Sequence, residues 1–265
     1  MRRLFRHLGR QSLRQYESRL IVLRSAIAFT IAFLALSSGA GLAQESVEPL
    51  YDIWEVILGQ SVAQIPEIKV SELACGTNGG PHAQPLVAFE DFAQCAPEPS
   101  DLHEVTFSYD DEQDFIARAL ESEYKFLQSG TSIFAHPVIV SVLVDASGLV
   151  QGIRIVTDNR ISDRERRTAV TLMRNFKARY SDWSLDCADV AMKDGEQPVG
   201  QQFVHERCRG TSSDNTRHIA IESSYLRKKG QSAVNLETQT VNTSYFESQT
   251  RFEQVLAPYA PTEAP

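Results

Sequence analysis

The amino-acid sequence predicts an α+β fold: an antiparallel sheet made of a β-hairpin, a helix, three further strands and a closing helix, with helices on one face. A helical, disulfide-containing N-terminal region is expected to precede it. Three observations predict this. Apolar residues recur at helical spacing in 48–58 and 110–128, a Val-rich run meets an Asp/Gly turn near residue 145, and short β-forming runs follow with turn signals between them.

The first 43 residues read as a signal peptide or an N-terminal anchor. Arg2, Arg3, Arg6, Arg10, Arg14, Arg19 and Arg24 precede an uncharged run from Ser25 to Ala43, which ends in the small residues of Gly41-Leu42-Ala43. A basic flank, a short apolar stretch and a small-residue exit are the marks of secretion. Two outcomes stay open: cleavage, with a start downstream near Val22 or Leu23, or retention as a membrane anchor with its arginines in the cytoplasm. Spanning a bilayer takes about 20 apolar residues and this run is marginal, which favours cleavage. Either way the remainder is expected to be periplasmic or secreted, touching a membrane only if the N-terminal segment is uncut.

The next region, 44–132, is read as helical around a Cys75–Cys95 loop. Leu50, Ile53, Trp54, Ile57 and Leu58 form a stripe over 48–58, and Gly59 stops it. Gly76-Thr77-Asn78-Gly79-Gly80-Pro81 reads as a turn-rich loop, a plain turn in preference to one that offers its amides to a ligand, and 86–95 as a helical turn. Asp110 or Asp111 caps a helix to about Gln128, with Glu112 and Asp114 in its first turn.

Residues 133–258 form the expected α+β domain with a Cys187–Cys208 loop. Val138–Val144 and Leu149–Thr157 flank Asp145-Ala146-Ser147-Gly148, a type I turn signal. Asp163 caps a helix to about Tyr180 with Ala169, Val170, Met173, Phe176 and Tyr180 inward. Strands are expected at Gln202–Cys208, Arg217–Leu226 and Thr238–Phe246. The closing helix, from about Gln249 to Ala257, starts on Thr250-x-x-Glu253, a capping-box pattern. Residues 259–265 read as a flexible tail.

Composition narrows the function. Without its first 43 residues the chain keeps 19 of 26 basic and 33 of 34 acidic residues, a net charge of −14. Nucleic-acid binding depends on neutralising phosphate with basic charge, so that class is disfavoured. Four cysteines in an exported chain favour two disulfides. Each of Cys75–Cys95 and Cys187–Cys208 closes a local loop, and such a loop stabilises by about 3 kcal/mol in the chain-entropy treatment. No zinc spacing, calcium loop, P-loop, dinucleotide fingerprint or nucleophile motif occurs, so no cofactor, metal or catalytic residue is assigned. His82, His103, His136, His205 and His218 form no paired motif.

The hairpin around Asp145–Gly148 and the helix after it resemble the ββα unit of TonB C-terminal domains. The likeness spans residues 137–180 and departs from that family in lacking a Pro-x-Tyr-Pro approach and the Trp after the helix. It implies architecture alone.

One basic island stands out in the acidic chain. Arg164, Arg167 and Arg174 fall on one helical stripe, with Arg166, Lys177 and Arg179 nearby. Arginine forks bind carboxylate or phosphate, so this face is the candidate for docking a protein or an anionic envelope component. The sequence therefore reads as an exported, non-enzymatic binding or envelope-assembly protein. Two alternatives remain: a hydrolase of envelope polymers using a carboxylate pair such as Asp110 or Asp111, and a structural subunit of a membrane-associated complex.

Overall fold

Antiparallel strands dominate the structure, a computed structural model that describes residues 52–66, 70–109, 131–134, 136–160, 163–235, 239–242 and 245–262. The strands are β1 (Ser71–Cys75), β2 (His103–Ser108), β3 (Ser132–Ile133), β4 (His136–Val144), β5 (Val150–Thr157), β6 (Asp186–Asp189), β7 (Glu196–Gln197), β8 (Val204–Thr211), β9 (Arg217–Lys228), β10 (Ala233–Asn235), β11 (Thr240–Asn242) and β12 (Glu247–Leu256). Ten of them form one sheet in the order β1-β2-β4-β5-β12-β9-β8-β6, with β3 beside β4 and β7 beside β9. The helices are α1 (Asp163–Ala169) and α2 (Leu172–Arg179).

This corrects the expected fold class. Among the described residues the α+β reading with a helical N-terminal region gives way to a large antiparallel sheet carrying two short α-helices. In the N-terminal region β1 and β2 are strands, and β2 pairs directly with β4 across the expected boundary at 132/133. Of the helix expected over 48–58, the described residues hold one 3₁₀ turn, Ile53–Glu55, capped by Asp52, whose Oδ1 accepts from the Trp54 amide at 3.1 Å. Segment 86–95 is a 3₁₀ helix, Phe89–Gln94. The helix expected from Asp110 or Asp111 lies outside the described residues.

The closing helix is also corrected. Residues 247–256 are β12, paired with β5 on one side and β9 on the other. The capping-box pattern fails because tertiary pairing outweighs a local signal. The Thr250 amide donates to Thr157 Oγ1 at 3.0 Å, its hydroxyl donates to the Ala169 carbonyl at 2.9 Å, and Glu253 points to the other face. Of the strand expected at 238–246, the described residues hold β11, which pairs with β10 in a separate two-stranded sheet.

The helix expected over 163–180 breaks at Val170-Thr171. These β-branched residues favour helix weakly, and Thr171 Oγ1 donates back to the Thr168 carbonyl at 2.7 Å. Carbonyls at the break serve the sheet: Ala169 accepts from Thr250 Oγ1 and Val170 from Ser223 Oγ.

The alternation of strand side chains separates two unlike faces. Beneath the helices lie Val105, Phe107, Val140, Val142, Ile153, Ile155, Phe252, Ile219 and Ile221, packed with Leu172, Met173, Phe176 and Ile53. Phe252 is the hub: its ring stacks on Phe176 at 4.8 Å and Tyr180 at 5.1 Å and meets Trp54 edge-on at 5.8 Å. Truncating such a buried phenylalanine to alanine costs about 3–5 kcal/mol. The opposite face has a small apolar cluster of Leu102, Leu143 and Val255. The same face carries Ile139 and Val156 and, between them and that cluster, a line of charged side chains.

Both expected disulfides are present, Cys75–Cys95 and Cys187–Cys208. They point to an oxidising, extracytoplasmic setting. Among the described residues no helix is long and apolar enough to cross a membrane.

Candidate functional site

Register assembles a charged line across the sheet. Thr106 lies opposite Ser141, Ser141 opposite Arg154, Arg154 opposite Glu253, Glu253 opposite Ala220, Ala220 opposite Arg209 and Arg209 opposite Asp186. The neighbouring line runs Arg251, Glu222, Arg207. All of these side chains lie on the face away from Phe252, because partners in register share a face.

Arg154 stands at the centre, fully buried. Its fork grips Glu98 at 2.5 Å and 2.8 Å, its Nε donates to Glu253 Oε2 at 2.8 Å, and Nη1 lies 3.1 Å from Glu104 Oε2. Arg251 is the second cation, donating to Glu253 Oε2 at 2.8 Å, to the Asn78 carbonyl at 2.9 Å and to Asn78 Oδ1 at 2.7 Å. Three carboxylates against two guanidiniums leave one net negative charge. Donors from three other elements disperse it: the Asn78 and Gly79 amides and the Ser141 hydroxyl donate to Glu104, and the Thr262 amide donates to Glu253.

The electrostatics follow from burial and pairing. Burial pushes the Arg154 guanidinium toward losing its proton, but Glu98, Glu104 and Glu253 together outweigh it and raise its pKa. Arg251 moves down, through burial first and then the Arg154 charge, against the pull of Glu253 and Glu104. On the next strand burial would raise the Glu222 carboxyl, but hydrogen bonds from His205 at 2.9 Å and Arg207 at 3.2 Å hold it below its usual value.

Two loops and the C-terminal segment cover this network. Residues 76–81 fit only because Gly76 and Gly79 lack side chains. A Cβ on Gly76 would strike the Glu104 carboxyl, and one on Gly79, at φ +79°, would strike Val156. The expected flexible tail is tethered here: Thr262 bonds Glu253 through its amide at 2.9 Å and its hydroxyl at 3.0 Å, and accepts from Arg251 at 3.0 Å and Arg154 at 3.1 Å. An open recess of about 340 Å³ remains, lined by Asn78, Glu98, Pro99 and Thr262. Beside it Arg207, Arg209, Glu222, Arg251 and Pro261 enclose a space of about 10 Å³. That is the size of one water.

The basic island resolves into two groups. Arg166 lies over the Tyr245 ring at 4.4 Å, Arg179 over Trp54 at 4.0 Å, and Lys177 pairs with Glu206 at 2.6 Å. Arg167 and Arg174 stay exposed, on α1 and α2 respectively, while the Arg164 side chain lies outside the described residues. The acidic cluster Asp110, Asp111, Glu112 and Asp114 also lies outside them. In the Gly-rich loop the Asn78 and Gly79 amides donate to Glu104, so the lesser reading, a loop offering these amides to a ligand, has no support.

The histidines are dispersed. His103 Nδ1 contacts the Cys95 carbonyl at 2.7 Å, His136 Nε2 contacts Thr171 Oγ1 at 3.2 Å, and His218 Nδ1 contacts Thr211 Oγ1 at 3.2 Å. Cys187, Glu206 and Cys208 gather potential metal-ligand atoms within 4.8 Å, but the two sulfurs are bonded to each other and offer no thiolate. Sequence reasoning missed Glu98, Glu104, Arg154, Arg251 and Glu253. The one available signal was a lone arginine inside the apolar run Gly152-Ile153-Arg154-Ile155-Val156.

No family model matches the chain, and no significant similarity to a curated protein or to a solved structure was found. The TonB-like ββα unit remains a likeness of connectivity over β4, β5 and the helices.

Proposed function

We propose that the chain is an exported, non-enzymatic binding or envelope-assembly protein that docks an anionic partner through the outer side of α1 and α2. The observation that carries the reading is the sorting of the basic residues. Arg166, Lys177 and Arg179 are engaged by Tyr245, Glu206 and Trp54, whereas Arg167 and Arg174 present exposed forks. Exposed arginines in a strongly acidic chain favour contact with an acidic protein surface or another anionic envelope component.

Two further observations support it. The disulfides fit an extracytoplasmic setting, and the N-terminal 43 residues carry the pattern of an export signal. The carboxylates of the charged face are held by arginines, amides and hydroxyls, an arrangement suited to fixing loops rather than to moving protons.

The test is affinity capture from detergent-solubilised envelopes with the wild type and an Arg167→Glu/Arg174→Glu variant. Both positions are exposed, so the variant keeps its fold and loses the captured partners. Capture of the same partners by both proteins would refute the reading.

A further inference from the structure

The two disulfides sit in opposite surroundings. Cys75 and Cys95 are 5% and 4% exposed and belong to the main core. The outer edge of β1 is covered as well: the Cys75 amide donates to the Gln84 carbonyl at 2.8 Å and the Ala83 amide to the Cys75 carbonyl at 2.9 Å. Cys187 lies on β6, the last strand on its side of the sheet, and all four residues of that strand are exposed. Its partner Cys208 is 0% exposed. One bond thus joins an exposed residue on an edge strand to a sealed one in the core.

We propose that Cys187–Cys208 is a thiol–disulfide exchange site, attacked at Cys187 by an external dithiol. Exchange needs a thiolate to reach the disulfide along an open path, and only Cys187 lies on an open strand. The donor thiolate forms a new S–S bond with Cys187 Sγ while the Cys187–Cys208 bond breaks, and Cys208 leaves as a thiolate that takes up a proton. The donor's second thiol, losing its proton, then attacks its own sulfur in the mixed disulfide and expels Cys187. Both cysteines end as thiols and the donor as a disulfide, a transfer of two electrons and two protons.

The surroundings select the donor. Asp186 and Asp189 flank Cys187 on β6, so an anionic thiol is repelled and a neutral or basic dithiol is favoured. At the buried end, Glu206 Oε1 lies 3.8 Å from Cys208 Sγ, and Lys177 Nζ lies 2.6 Å from the same oxygen, offsetting its charge beside the departing sulfur. Opening the bond removes the covalent tie between β6 and β8 while the core disulfide stays closed. The edge of β8 then depends on backbone hydrogen bonds alone to keep β6 in place.

The native protein is titrated with dithiothreitol without denaturant, quenched with N-ethylmaleimide and mapped by peptide mass spectrometry. Cys187 and Cys208 are expected to be labelled at least about ten times faster than Cys75 and Cys95, with tryptophan fluorescence unchanged. In the Cys208→Ser variant the remaining Cys187 reacts with the uncharged 4,4′-dithiodipyridine in the folded protein, whereas Cys208 in the Cys187→Ser variant reacts only on unfolding. Equal reduction of the two wild-type pairs, or reduction only in urea, overturns the proposal without need of either variant. Faster labelling of Cys208 than of Cys187 in the folded single-cysteine variants overturns the assigned point of attack.

Discussion

Replacing Arg154 with methionine removes the cation at the centre of the charged face while keeping the volume of its aliphatic stem. Glu98 loses both of its bonds to the fork, Glu253 loses one at 2.8 Å, and Glu104 loses its 3.1 Å contact. Glu104 keeps Asn78, Gly79 and Ser141, and Glu253 keeps Arg251 and Thr262. The local charge goes from −1 to −2 in a site where Glu104 and Glu253 are 3% and 1% exposed. Removing one member of a buried ion pair costs about 3–5 kcal/mol. Glu98, at 11% side-chain exposure, can turn toward the recess, which places the loss near the lower bound.

Urea unfolding followed by the fluorescence of Trp54 and Trp183, both packed against aromatic rings, measures this directly. A loss of that size lowers Tm by about 6–20 °C for a domain of this length. A loss under about 1 kcal/mol would refute the argument that Arg154 is held by charge.

Three other outcomes follow from the same contacts. Gly79→Ala is expected to cost more than about 1 kcal/mol, because it forces a side chain onto a left-handed backbone and against Val156, and urea titration checks it. Thr262→Ala removes hydroxyl bonds to Glu253, Arg251 and Arg154 and is expected to cost about 1–3 kcal/mol, with faster proteolysis of the C-terminal segment. In the wild type the carboxyls of Glu222 and Asp145 are depressed in the fold and that of Asp214 lies at about 2. Their contributions are present above the unfolded carboxylate range and are lost as pH falls through the folded values. His136, lowered by burial from 6.5, adds a loss that begins below that pH, so the urea midpoint should fall steadily from pH 7 to pH 3.

Legibility in the sequence varied with how local the cause was. The β4–β5 hairpin was readable because Asp145-Ala146-Ser147-Gly148 makes its own turn: Asp145 Oδ1 accepts from the Ser147 amide at 2.8 Å and the Leu149 amide at 3.1 Å. The disulfide pairing was readable from loop length. Strand β12 was not, since Thr250-x-x-Glu253 satisfies a helical rule whose competitor lies in β5, some 95 residues earlier, and in β9. Strands β1 and β2 are short and interrupted by Gly- and Pro-rich loops, so no periodicity identifies them. The charged face shares that cause. Glu98, Glu104, Arg154, Arg251 and Glu253 come from separate stretches of chain, and only the registers of β2, β4, β5 and β12 bring them together.

The central claim is that residues 247–256 form the inner strand joining the two halves of the sheet. Nuclear Overhauser contacts in the isotope-labelled wild type test it without perturbing the protein. The structure predicts cross-strand contacts from Gln254 to Ile153 on one side and to Ile219 on the other, and from Phe252 to Ile155 and Ile221. Contacts running from each residue to the third one along within 249–257, with no cross-strand partners, would show a helix and contradict the account.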